Sequence, residues 1–217
     1  RNEYILASKC GEYSDEPRTG YDFSYDGIAK SIGNSLDLLK TDCLDLLQIH
    51  FGPDPQKVLD DGETVKAMKE ARAAGKVKLL GASIGGDVAR QCIESGDFDV
   101  MQLGYSLLSQ GEEDLVQMCA QRGIGVLIRG GLGAGRLTPR VMPHLDELDE
   151  GTRKKIDAWL NLVGGDPELL PVLAMKFLYR NPGVTSVLVG SKKTEHLRRN
   201  LELLETELDE EIVERAL

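Results

Sequence analysis

Several features that mark large protein classes are scarce or missing. Aromatic residues make up only 5% of the 217 positions, and 26 Lys and Arg are outnumbered by 36 Asp and Glu, for a net charge of −10. No basic cluster interleaves with aromatic residues, so neither nucleic acid nor an anionic membrane is an expected partner. No apolar run approaches the roughly 20 residues that a bilayer span needs. The opening stretch RNEYILASK has too short an apolar segment to resemble a secretory signal. The four cysteines, Cys10, Cys43, Cys92 and Cys119, lie far apart without a CxxC pair. Three of them fall in apolar strand-like or helix-like contexts, which implies reduced structural thiols in a cytoplasmic protein and no metal site.

A chain of this length with 41% hydrophobic residues can bury a core and is expected to form one domain over residues 1–217. One pattern recurs along it. YILAS (residues 4–8) reads as a strand, and Ile28, Ile32, Leu36 and Leu39 follow at helical spacing behind a candidate cap, Ser24. LDLLQIH (44–50) is the next strand, followed by a helix through Val65, Met68 and Ala71 that stops at Gly75. VKLLGAS, FDVMQLGYS, IGVLIRG and VTSVLVG continue the series, each alternating with a helical segment. Strands this continuously apolar belong to a parallel sheet covered by helices.

Two α/β architectures accommodate six such units. A doubly wound sheet announces its dinucleotide site by a glycine fingerprint after the first strand, and SKCGEYSDEPRTG contains no GxGxxG. A (β/α)8 TIM barrel instead draws its chemistry from the C-terminal ends of several strands. Lys9, His50, Ser83, Gln102, Arg129 and Gly190 with Ser191 stand at those ends. The expected fold is therefore a (β/α)8 barrel, with six of its eight units represented.

The string SLDLLKTDCLDLLQIH resembles the helix-plus-strand signature of the aldo-keto reductases, and the resemblance continues in ILASK, GKVKLLGAS, MQLGYSLL, GIGVLIRGGLGAGRLT and SVLVGSKKTEHLRRNLELLE. These six motifs are collinear and span nearly the whole chain. The resemblance implies a barrel that binds NADP(H) without a Rossmann fingerprint and interconverts aldehydes or ketones with alcohols. It also implies a catalytic aspartate, tyrosine, lysine and histidine. Lys9 matches the lysine and His50 the histidine. The aspartate and tyrosine belong to the family's second βα unit, upstream of the third-strand match at ILASK. The expectation is a protein longer by about two units, whose short form is inactive on its own. Tyr13, Tyr21 and Tyr25 follow Lys9 but lie outside the matching motif.

The chemistry explains these residue types. Hydride transfer to a carbonyl carbon leaves a developing alkoxide that must be protonated and stabilised. A tyrosine phenol has an ordinary pKa near 10, so an ammonium such as Lys9 is needed to favour its ionised form, while an imidazole such as His50 orients the oxygen or shares the proton.

The resemblance assigns cofactor contacts one at a time. Ser83 and Gln102 match the residues that hold the nicotinamide carboxamide, although Ile84 replaces the usual asparagine beside Ser83. Arg129 stands where many members stack an aromatic on the nicotinamide. Leu132, Gly133 and Gly135 match the pyrophosphate loop. Gly190, Ser191 and Lys192 precede a helix whose start suits the 2′-phosphate of NADP(H), and His196 and Asn200 complete the adenosine end, with Arg199 where glutamate is frequent. The Arg198/Arg199 pair is also placed for salt bridges to Glu195 and Glu202 on its own helix. Gln48 reads as an interior polar residue, His144 as surface, and Trp159 as packing between an extra helix and the barrel. The substrate is expected to be a small carbonyl or a sugar-like compound. The alternative reading is a non-catalytic nucleotide-binding barrel that serves as a redox sensor or partner subunit.

Overall fold

The computed structural model describes residues 1, 3–15 and 18–217. Two compact units are present, one of Arg1–Gln102 with Met118–Gly125 and one of Leu103–Gln117 with Val126–Leu217.

The first unit contains β1 (Ala7–Cys10), a hairpin of β2 (Glu12–Asp15) and β3 (Arg18–Tyr21), α1 (Tyr25–Leu39), β4 (Leu44–His50), α2 (Pro55–Asp61), α3 (Glu63–Ala73), β5 (Val77–Ser83), α4 (Gly86–Ser95) and the start of β6 (Val100–Gly104). Strands β1, β4, β5 and β6 pair in parallel in that order. Helix α1 begins as expected: the Gly27 N–H donates to Ser24 Oγ at 3.1 Å, satisfying one of the free first-turn amides. Ile28 and Ile32 bury its inner face, and Leu44, Leu47 and Ile49 of β4 are fully enclosed. Each such side chain contributes about 1.5–3 kcal/mol by leaving water.

The first strand lies three residues later than YILAS suggested. β4 begins only at Leu44, and β1 pairs with it from Ala7 opposite Leu46, so Tyr4 and Ile5 have no partner strand among the described residues and are exposed. Asp45 fixes this start. Its carboxylate accepts the Leu6 N–H at 2.8 Å and pairs with Lys78 and Arg1. The Leu6 N–H first, then Lys78 and Arg1, hold its carboxyl well below the usual range. Lys9 therefore stands inside β1. The hairpin after it was not legible as an apolar pattern.

The second unit contains β7 (Gly125–Arg129) from Val126 onward, α6 (Glu150–Leu162), α7 (Leu170–Arg180), β8 (Ser186–Val187), α8 (Thr194–Glu205) and α9 (Glu210–Arg215). Helix α5 (Glu113–Gln121) crosses the division between the units. β7 and β8 pair in parallel. VTSVLVG forms only a two-residue strand, because Gly130 turns β7 away at φ +71° and leaves nothing further to pair with. Gly190 and Ser191 thus lie beyond the strand rather than at its end. Pro139–Glu147 form a 3-10 helix. Trp159 packs within this unit, its indole N–H donating to the Ala216 carbonyl at 3.0 Å beside α9.

Candidate functional site

Strand register, and not sequence proximity, gathers the candidate residues of the first unit. Lys9 aligns with Gln48 on β4, and Gln48 with Gly81 on β5. Two residues further on, His50 aligns with Ser83, and Ser83 with Gln102 on β6. Side chains two apart on a strand share a face, so Lys9, Gln48, His50, Ser83 and Gln102 all project from one side of the parallel strands. Lys9 is exposed and His50 half-buried, whereas Ser83, Gln48 and Gln102 are buried.

Gly81 makes part of this cluster possible. The Gln48 Nε2–H donates to Gln102 Oε1 at 3.3 Å, and this bond passes over β5 at the level of Gly81. A Cβ there would lie 2.9 Å from Gln48 Cγ and 2.9 Å from the Val100 carbonyl. Glycine inside an apolar strand is the signal that could have been read, since it marks a close approach. Gln102 Oε1 is thereby occupied, which leaves its NH2 group as the donor end. Gln48 Oε1 is buried and without a partner among the described residues.

His50 Nδ1 contacts the carboxylate of Glu12 on the hairpin, a partner that the sequence reading missed. The tyrosines after Lys9 are engaged locally. Tyr25 donates its hydroxyl to Glu70 at 2.5 Å, and that bond raises its pKa, the wrong direction for a general acid. The Tyr13 ring lies over Gly20 within the hairpin, and the Tyr21 ring lies against Gly52.

The second unit holds a pocket of about 460 Å³ lined by, among others, Leu132, Gly135, Gly190, His196, Arg199 and Asn200. Five of the residues assigned to the cofactor from sequence thus meet around one cavity. Gly133 sits in the short turn behind Leu132, while Ser191 and Lys192 are outside the lining. The Ser191 hydroxyl donates to the Lys193 carbonyl and accepts the Lys193 N–H, both at 3.0 Å. Helix α8 starts without a side-chain cap, so first-turn amides remain for another acceptor. Arg129 ends β7 exposed, and its guanidinium packs over Gly104, where a Cβ would meet Cζ at 3.5 Å. Arg199 pairs with Glu168 rather than with Glu195 or Glu202, because its side chain turns toward the pocket and away from its own helix. Arg140 and Glu168 carried no motif and were missed, and Thr138, the last residue of GIGVLIRGGLGAGRLT, was given no role. His144 is exposed beside Glu147.

Parallel strands with a polar row on one face, together with a glycine-bordered pocket rich in cations, define an α/β protein equipped for a small ligand. The sequence matches the Aldo/keto reductase family over residues 1–216, and the chain belongs to that family. It is 28% identical over 216 residues to the uncharacterized oxidoreductase YqkF of Bacillus subtilis, covering 93% of this chain and 69% of that protein. It is also 28% identical to L-galactose dehydrogenase of Arabidopsis thaliana, covering 96% of this chain and 66% of the relative. An NADH-specific methylglyoxal reductase of Escherichia coli is 23% identical, with 97% and 72% covered. The chain thus spans about two thirds of the length of these relatives. Among solved structures, the holo form of an aldo-keto reductase from Bacillus halodurans shares the fold with a TM-score of 0.82 at 24% identity, covering all of this chain and 74% of that one. No helix among the described residues is long and apolar enough to cross a membrane.

Proposed function

We propose that the protein is a cytoplasmic oxidoreductase transferring a hydride between NADP(H) and an aldehyde, ketone or sugar-like carbonyl or alcohol, and that its βα units are six of the eight in a (β/α)8 barrel. The observation that carries this reading is the pocket of the second unit, where Leu132, Gly135, Gly190, His196 and Asn200 meet. Gly130 and Gly135 border it, and a Cβ at either would meet nothing within 4 Å, so their lack of side chains lets a pyrophosphate approach the backbone. Arg140, His196 and Arg199 supply cations or donors, and the uncapped start of α8 favours an anion. Lys192 and Arg140 support a 2′-phosphate, hence NADP(H) over NAD(H). Arg199 shares its charge with Glu168, which limits that preference.

A bound nicotinamide supplies or takes up the hydride. The remaining work falls to the chain. Ser83 and the donor end of Gln102 are assigned to hold the carboxamide, with Arg129 stacking as a guanidinium plane. Gly133 shapes the loop, and Ser191 orders the turn before α8. The Lys9 ammonium stabilises negative charge near the reacting oxygen, and His50 orients that oxygen. Relatives named for L-galactose and methylglyoxal support a small carbonyl or sugar substrate. Calorimetric titration tests the reading: NADPH should bind saturably and more tightly than NADH. Binding of neither nucleotide would remove it.

A further inference from the structure

The hairpin of β2 and β3 delivers one carboxylate to the cluster of the first unit. Glu12 opposes Tyr21 across the hairpin. Two glycines seat this segment. Gly11 takes φ +97°, a conformation that glycine adopts without strain, and the Phe23 ring occupies the space where its Cβ would be. Gly52, two residues after His50, leaves room for the Tyr21 ring, which a Cβ would meet at 2.8 Å. Tyr21 in turn stacks on Phe23 at a centroid distance of 6.0 Å, and the Asp22 N–H donates to the Gly11 carbonyl at 2.9 Å. The strand carrying Glu12 is therefore held against the end of β4, and its carboxylate reaches His50 Nδ1.

We propose that Glu12 is a positioning residue that fixes the tautomer and orientation of His50, an inference that rests on reading His50 as a site residue. An ionised carboxylate only accepts hydrogen bonds, so Nδ1 must carry the hydrogen. A neutral imidazole has a single N–H, which makes Nε2 the free end and an acceptor, suited to a substrate hydroxyl. When the ring is doubly protonated, Nε2–H donates to a carbonyl oxygen while Glu12 balances the charge. Side-chain exposures of 41% for His50 and 30% for Glu12 leave the imidazole open to a ligand while the contact stays partly shielded. Neither role needs Glu12 to touch substrate.

Long-range 1H–15N NMR on these 217 residues labelled at histidine reads the tautomer directly, with His144 and His196 the other two signals to be distinguished from His50. At alkaline pH, His50 should be in the Nδ1–H form. Glu12→Gln and Glu12→Ala should both move it toward the Nε2–H form that free imidazole side chains favour in water. In the full-length protein, Glu12→Gln should lower kcat roughly tenfold, short of the 10²–10⁴-fold loss of a whole acid-base group, with KM for nucleotide unchanged and Glu12→Asp restoring part of the rate. A wild-type His50 in the Nε2–H form, or a tautomer unmoved in both variants, would overturn the proposal. Wild-type turnover in His50→Ala would instead remove His50 from the site, with the tautomer still deciding whether Glu12 holds the ring.

Discussion

In the first unit, Lys9, Gln48, His50, Ser83 and Gln102 take their places from a parallel strand ladder, whereas in the second unit Leu132, Gly135, Gly190, His196 and Asn200 surround a pocket from loops and a helix. The ladder repeats every two residues, so one aligned pair fixes the face of every other member. A loop has no such period, and its contribution is space and backbone amides. Lys9 and His50 of the first unit and the pocket of the second should accordingly fail in different ways, the former losing rate and the latter losing affinity.

Lys9→Met gives the largest expected difference. Lys9 is exposed on its strand, so the fold should survive, and nucleotide affinity should stay within about twofold. Turnover of the full-length protein should drop roughly 10²–10⁴-fold if its charge supports acid-base chemistry. Equal losses of affinity and rate would erase the contrast between the units.

Thiol chemistry probes the first unit alone, because all four cysteines lie within it. Burial pushes Cys10 and Cys92 up to about 12 and Cys119 up to about 11. Raised values keep these thiols protonated and unreactive until the pH approaches them, while half-buried Cys43 is open to reagent. Iodoacetamide at pH 8, followed by mass spectrometry, should modify Cys43 first. The other three should lag on the order of 10²-fold. Uniform labelling would mean that the first unit opens readily.

Gly81→Ala tests the ladder itself at a smaller scale. The new methyl would press on the Val100 carbonyl and Gln48 Cγ, and overpacking of this kind costs about 1–3 kcal/mol. Urea unfolding should show that loss. An unchanged midpoint would mean that the Gln48–Gln102 bond has room to spare.

What could be read in the sequence follows the same division. His50 ends β4 where LDLLQIH placed it, and VKLLGAS is β5 to the residue, because apolar runs bounded by turn residues leave little choice. Ser24 and TEHLRRNLELLE were similarly plain, as a cap and as α8. YILAS misled because its strand starts where β4 can pair with it, which only the partner determines. Glu12 was invisible for a related reason: the hairpin that brings it to His50 is polar and has no apolar alternation to betray it. Arg199 shows the limit of helix-local reasoning, since Glu168, 31 positions away (199 − 168), supplied its partner.

The pocket of the second unit is the claim on which the functional reading stands, and Gly190 offers the cleanest test of it. It lines the cavity, and a Cβ added there would meet nothing within 4 Å, so Gly190→Leu should fold normally while filling space that a nucleotide needs. Calorimetric titration of wild type and Gly190→Leu with NADPH is the decisive measurement. Saturable binding by wild type that weakens at least roughly tenfold in the variant, equivalent to about 1.4 kcal/mol, is the expected result. Equal affinity in a variant that unfolds like wild type would contradict the assignment of this pocket to the cofactor.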